Sequence, residues 1–201
     1  TGNKKVFSSS FSKNYYPNEV HINGEKQNRV KNSYPLSQTN NTIELIWYEE
    51  INNTNKMFYN CYDITEMDLS EFNSSLVVRA THMFSRCKSL TSINLTNFDN
   101  SKNEYMNHMF ANCQQLTSLD LSSFNTSSLL WINNLVHNCY KLTSLNISHF
   151  NTSKTTDFEY LISGCLLISS IDLSNFDTRL GRRFHYMFYN CPLLTSLNLS
   201  N

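Results

Sequence analysis

The sequence predicts an α/β solenoid: a chain wound into equal coils, with a parallel β-sheet along one face, short helices along the other and a β-rich cap at the N-terminal end. Three observations predict it. The six cysteines, Cys61, Cys87, Cys113, Cys139, Cys165 and Cys191, stand 26 residues apart without one insertion, a register that only stacked repeats hold. The stretch after each cysteine alternates apolar and polar residues, as in Leu116-Thr117-Ser118-Leu119-Asp120-Leu121, which marks a short strand with one buried face. The first 56 residues ignore the period and carry strand and turn signals of their own.

Residues 1–56 form the predicted N-terminal segment and cap. Asn23-Gly24 lies between strand-like residues from Glu19 to Glu25, a good hairpin signal. The run from Ile43 to Tyr48 reads as a further strand leading into the first coil. A solenoid has to cover the apolar face of its first repeat, and this segment is placed to do so. Residues 57–201 hold six 26-residue repeats beginning at Met57, Met83, Met109, Leu135, Leu161 and Met187, the last of them incomplete. Their apolar columns are Ile64/Leu90/Leu116/Leu142/Ile168/Leu194, Met67/Ile93/Leu119/Leu145/Ile171/Leu197 and Leu69/Leu95/Leu121/Ile147/Leu173/Leu199. A phenylalanine column follows (Phe72, Phe98, Phe124, Phe150, Phe176), an aromatic spine inside the turn. Polar turns such as Asn125-Thr126-Ser127 come next. They are expected to start a short helix whose apolar pair, Met83-Phe84 or Met109-Phe110, closes the core.

Composition limits the function. Sixteen basic residues balance sixteen acidic ones, without the basic stripe that a nucleic-acid binder carries. No apolar run approaches the ~20 residues of a membrane helix. Gly and Pro number only 4 and 3; the abundant asparagines take over tight corners, because they tolerate the left-handed conformation. The chain begins at Thr1, as removal of a secretory signal would leave it, and ends inside a repeat.

The best-formed copies read MFSRCKSLTSINLTNF from Met83 and MFANCQQLTSLDLSSF from Met109. The unit resembles the leucine-rich repeat, with its L-x-x-L-x-L core, and most of all the BspA-like branch, with M-F-x-x-C-x-x-L-T-S-L-D-L-S-x-F-N-T-S. Leu135-Val136 and Leu161-Ile162 depart from Met-Phe. The resemblance covers residues 57–201 and implies a leucine-rich-repeat-like right-handed coil. It also implies an extracellular or cell-surface protein concerned with adhesion or host contact.

Several columns are candidates for chemistry. The cysteines read as a buried ladder of free thiols, although rungs ~4.8 Å apart would also permit pairing. Six ligands in a line do not surround one metal ion, and no histidine column flanks them as a catalytic thiol would need. Asp68, Asn94, Asp120, Asn146, Asp172 and Asn198 alternate acid and amide along the strand face. Neighbouring carboxylates on successive rungs would repel by roughly 0.9 kcal/mol in water, so alternation reads first as a stable polar ladder. Eight N-glycosylation sequons start at Asn40, Asn52, Asn73, Asn94, Asn125, Asn146, Asn151 and Asn198. Thr91/Thr117/Thr143 and Ser92/Ser118/Ser144 form a hydroxyl array on the same face. Only His82 and His108 share a histidine column. Arg179, Arg182 and Arg183 make a basic spot, and Trp131 breaks its column as a contact residue or as local packing.

The leading expectation is a non-enzymatic interaction or adhesion protein, without cofactor or metal. It would meet a protein or glycan partner through Asp68, Ser92, Asn94, Ser118, Asp120, Ser144, Asn146, Ser170 and Asp172. The alternative is a subunit stacking head to tail into an extracellular filament. A remote one is an enzyme with a pocket near the cap, around His21 and Trp47.

Overall fold

The computed structural model describes residues 2–199. The N-terminal segment contributes five strands: β1 (Asn3–Lys5), β2 (Glu19–Ile22), β3 (Glu25–Lys26), β4 (Ser33–Pro35) and β5 (Ile43–Ile46). β1 pairs antiparallel with β4, while β2 lies between β3 and β5. The β2–β3 hairpin turns at Asn23 (φ 53°) and Gly24 (φ 84°), the two positive φ angles that a two-residue hairpin of right-handed twist demands. Ile43–Ile46 joins this sheet, pairing Val20 with Leu45. Val6, Phe7, Phe11, Val20 and Tyr34 are buried under it.

This segment meets the first coil at defined points. The Ser8 N–H donates to the Met57 carbonyl at 2.7 Å. The Trp47 indole N–H donates to the Tyr15 carbonyl at 2.8 Å. Its ring stands edge-on to Phe72, centroids 5.4 Å apart, so the indole covers the first ring of the phenylalanine spine.

The coils carry six three-residue strands at one position in the period: β6 (Glu66–Asp68), β7 (Ser92–Asn94), β8 (Ser118–Asp120), β9 (Ser144–Asn146), β10 (Ser170–Asp172) and β11 (Ser196–Asn198). Partners are parallel and in register, Ser118 with Ser144 and Asp120 with Asn146. The ladder is broken into three pairs, β6–β7, β8–β9 and β10–β11, where one continuous sheet was expected.

Like side chains stack on like along the core. Leu90, Leu116, Leu142 and Ile168 are fully buried, as are Cys61 through Cys165. Phe98, Phe124, Phe150 and Phe176 are buried too; Phe72 stacks on Phe98 at 6.2 Å and Phe98 on Phe124 at 5.7 Å. A second aromatic stack runs Phe58–Phe84–Phe110 at 5.8 and 5.1 Å. Several expected core residues depart: Ile64, Met67, Phe72, Ile93, Leu145 and Leu194 are only partly buried, and Leu197 and Leu199 are exposed in the last described coil.

The expected helices opposite the strands do not form. Among the described residues the one helical element is a single 3-10 turn at Lys13–Tyr15. The reason lies in the backbone hydrogen bonds. In the coil from Ala80 to Cys87, the N–H groups of Ala80, His82, Phe84 and Arg86 donate to Tyr105, Asn107, Met109 and Ala111 of the next coil. Those of Met83, Ser85 and Cys87 donate three residues back within the coil. An α-helix needs every N–H for its own i−4 carbonyl and cannot share alternate ones with a neighbour. Two left-handed corners per coil enforce the pattern: His82 and Arg86, His108 and Asn112, Asn134 and Asn138, Tyr160 and Gly164 all have positive φ. The opposite wall is therefore a second inter-coil ladder, continued by the parallel bridges Asn53–Arg79–Tyr105–Trp131–Asp157–Arg183.

Candidate functional site

On the strand face, the nine predicted binding residues (Asp68, Ser92, Asn94, Ser118, Asp120, Ser144, Asn146, Ser170, Asp172) are all exposed and lie in one band. The acid–amide column is also bonded to its own chain. Asp68, Asp120 and Asp172 each accept the N–H two residues on, from Ser70, Ser122 and Ser174, at 2.9 Å. Asn94 accepts from the Thr96 N–H and hydroxyl, at 3.1 and 2.6 Å. Each residue thus ends its strand with a side-chain turn. These bonds hold the Asp68, Asp120 and Asp172 carboxyls below their ordinary range, the serine two residues on contributing most. The amides of Asn94, Asn146 and Asn198 add to the effect on Asp68, Asp120 and Asp172.

Those three acid–amide contacts fall within the three strand pairs. The threonine column obeys the same two-coil rhythm: the hydroxyls of Thr91 and Thr143 donate to the carbonyls of Thr65 and Thr117 at 2.9 and 3.0 Å. The hydroxyl array is therefore partly committed to holding coils together. The face presented outward is the serine column with the outer edges of the acid–amide column.

All eight sequon asparagines are exposed; Ser200, which completes the sequon of Asn198, lies outside the described residues. Asn73, Asn94 and Asn151 accept hydrogen bonds from the hydroxyls of Ser75, Thr96 and Ser153. Asn125 accepts the N–H of Ser127 at 3.1 Å. The turn chemistry accounts for an Asn-x-Ser/Thr pattern at these corners without any glycan.

The cysteines are free. Each thiol from Cys87 onward donates back to the preceding coil: Cys87 to the Phe58 carbonyl (3.1 Å), Cys113 to Phe84 (3.2 Å), Cys139 to Phe110 (3.2 Å), Cys165 to Val136 (3.4 Å) and Cys191 to Ile162 (3.1 Å). Burial pushes the Cys139 and Cys61 thiols up to about 12. A small apolar group with one weak donor fits this position in every coil, and burial leaves the thiols from Cys61 to Cys165 unreactive.

Around the cap, His21 bonds Glu19 at 2.7 Å. Hydrogen bonds from Lys26, Tyr48 and His21 draw Glu19 down to about 2. His21 and Trp47, the pair around which a cap pocket was imagined, are both engaged in holding the cap together.

The wall opposite the strands is less regular. His82 and His108 stack at 4.4 Å with 14° between their planes, and Nδ1 of His82 is buried without a partner among the described residues. Burial first, then His108, Lys56 and Arg86, lower His82 to about 4; burial also lowers His108. Two coils further on, Trp131 is 48% exposed and stands edge-on to Tyr105 at 5.2 Å. Arg79 lies over the other end of this group, 5.0 Å from the Tyr105 centroid. Beside Trp131 a notch of about 390 Å³ opens, lined also by Asn107, Asn133, Thr156, Asp157, Arg182 and Arg183. The nine residues chosen from sequence miss it. Its signal was the one tryptophan that interrupts a column, followed by Arg182 and Arg183 two coils on.

Among the described residues, no group of three or more His, Cys, Asp or Glu side chains is placed to hold a metal ion. No described helix is long and apolar enough to cross a membrane.

A solved leucine-rich repeat protein from Bacteroides ovatus aligns with 82% of this chain and 43% of its own, at 17% sequence identity and a TM-score of 0.41. This chain therefore spans less than half the length of that protein. No curated protein matches the sequence. One family profile matches twice, over residues 28–144 and 115–200, from the cap into the last coil; the chain belongs to that repeat family, described as "Mycoplasma protein of unknown function, DUF285".

Proposed function

We propose that the chain is a non-enzymatic binding scaffold displayed at the cell surface or secreted, and that it adheres to a protein or glycan partner. One observation carries this reading: the same exposed Ser-x-Asp/Asn pattern recurs every 26 residues on β6 to β11, apart from Glu66 in the first strand. Repeat proteins of this kind work through long surfaces. A partner would read Ser118, Asp120, Ser144 and Asn146 together, and a single alanine there would cost little unless it struck a hot spot. Glycans on exposed sequons such as Asn40 and Asn52 belong to the same reading, for a chain passing through a glycosylating secretory route; intact mass before and after enzymatic glycan removal tests that part. Brief protease treatment of intact source cells, followed by immunoblot, tests display. Full protection of the chain until the cells are lysed would count against it.

A second reading is end-to-end stacking of copies, a head-to-tail contact that builds a filament when it does not close. Sedimentation of the 201-residue chain over a hundredfold range of concentration decides: a monomer throughout rules stacking out.

A further inference from the structure

Trp131, Asp157 and Arg183 occupy successive positions in the bridge column opposite the strands. Rungs ~4.8 Å apart place the tryptophan and the arginine roughly 10 Å from one another, across the shorter aspartate. The notch arises from this sequence of large, small and large side chains. It does not arise from backbone irregularity, because the bridges continue through it.

Each lining group has a definite chemical capacity. The indole is half exposed and braced by Tyr105, which Arg79 covers in turn; a rigid aromatic plate binds without first losing side-chain freedom. Asp157 accepts the Glu159 N–H at 3.0 Å and Nη1 of Arg183 at 3.4 Å, so Arg183 is anchored. Arg182 lines the notch, and its guanidinium makes no hydrogen bond or ion pair among the described residues. Asn107 has its amide oxygen engaged by the Thr81 hydroxyl at 2.9 Å, which turns its NH₂ into a free donor. The amide of Asn133 and the hydroxyl of Thr156 offer further donors and acceptors.

Two arginines against one carboxylate leave the lining with a surplus positive charge. The volume sits at the lower end of the ~300–1,000 Å³ range of small-ligand sites. An aromatic plate suits the C–H face of a pyranose ring, the amides and the threonine suit its hydroxyls, and the unpaired guanidinium suits a carboxylate.

We propose that this notch is a binding site for an acidic sugar, a pyranose bearing a carboxylate, carried as a residue of a glycan. The ring lies on Trp131, its carboxylate meets Arg182, and Asn107, Asn133 and Thr156 take its hydroxyls. The site is on the opposite wall from the serine and acid–amide columns, so it stands or falls independently of a partner on the strand face.

Titration of the 201-residue chain by isothermal calorimetry and by tryptophan fluorescence tests it. The probes are oligosaccharides ending in glucuronic acid or N-acetylneuraminic acid, the methyl esters of their carboxylates, and a tetraglutamate peptide. Saturable binding of at least one acidic oligosaccharide is expected, with affinity about tenfold weaker for its ester and about tenfold weaker again at higher salt. Trp131→Ala and Arg182→Gln should each weaken binding about tenfold or more. Arg182→Gln removes a side chain with no partner and decides the matter alone if the tryptophan variant does not fold. Absence of saturation by both acidic sugars up to about 10 mM overturns the proposal, as does binding that neither variant weakens. Binding of tetraglutamate in place of the sugars, lost in the same variants, would reassign the notch to acidic peptides.

Discussion

Asn146→Asp places two carboxylates side by side within the β8–β9 pair, where Asp120 now faces an amide that helps hold its carboxyl down. At a rung spacing of ~4.8 Å the repulsion is ~0.9 kcal/mol in water and ~3.5 kcal/mol at an effective dielectric of 20. Both side chains are exposed, which favours the lower figure. The lost amide donor adds about 0.5–1 kcal/mol. The variant should therefore unfold with a stability deficit of roughly 1–2 kcal/mol at pH 7 and low salt, equivalent to roughly 2–8 °C in Tm for a chain of this length. The sign with pH follows from the paired carboxylates: one of them is raised above its unfolded value, so protonation relieves the native state first, and the deficit shrinks as pH falls towards 4. Urea unfolding of both proteins at pH 7 and pH 4, each at about 20 mM and 500 mM salt, measures this. A deficit independent of pH and salt, or no deficit, would refute the view that acid–amide alternation holds neighbouring strands in pairs.

Gly164→Ala puts a Cβ on a left-handed corner (φ +72°) and 2.2 Å from Oδ1 of Asn138; a loss of about 1–2 kcal/mol is expected by urea unfolding, and Gly164→Asn should lose less, because asparagine accepts that corner. Ellman's reagent at pH 8 should modify the half-buried Cys191 of the native chain and leave Cys61, Cys87, Cys113, Cys139 and Cys165 untouched until urea exposes them; rapid reaction of several native thiols would contradict the ladder. The stacked His82–His108 pair has folded values below the ordinary 6.5, so it supports the fold fully above 6.5 and withdraws that support as pH falls towards about 4. Between pH 7 and 4.5 this should cost on the order of 1–2 kcal/mol after solvent screening of the half-exposed rings. His82→Asn, which keeps the left-handed corner, should flatten the profile, and an unchanged pH dependence would assign it elsewhere.

What the sequence disclosed tracks what a period can encode. The burial of Leu116, the stacking of Phe98 on Phe124 and the filing of Cys87 behind Cys61 follow from identity at one spacing, because parallel coils put like on like. The absence of helices did not show, since the Met-Phe pair fits a helical face as well as an inter-coil wall. The discriminating residues were the corners, where Asn60, Asn112, Asn138 and Asn190 precede a cysteine with positive φ. Asparagine replaces glycine at such corners, and two of them per coil exclude a helix. The Asp/Asn alternation is legible over six rungs, but it does not by itself say that the strand ladder breaks after every second one. Trp131 stayed ambiguous because exposure belongs to the neighbours' sizes: Asp157 is short, and only then is the indole half uncovered.

The two long faces are under different constraints. On the strand face many polar side chains have structural work: the aspartates and Asn94 close turns, and alternate threonines tie coil to coil. Such a face can be uniform and rigid, but it offers a partner repetition rather than individuality. On the opposite wall the backbone bridges satisfy the coils by themselves. Side-chain identity at Arg79, Tyr105, Trp131, Asp157 and Arg183 does not follow the period, and no two neighbours among them are alike. A solenoid keeps its sequence equal where stacking demands it. Where the backbone does the stacking, side-chain identity is free to answer to something outside the molecule, and the notch at Trp131 is the place along that wall where unlike neighbours make a cavity. Exchange of Trp131 and Asp157, W131D with D157W, puts this to the test. It should abolish binding of the acidic sugar and cost only about 1–2 kcal/mol of stability, the worth of the Asp157 bonds to the Glu159 N–H and to Arg183. A stability loss of several kcal/mol would show that the column serves the fold instead.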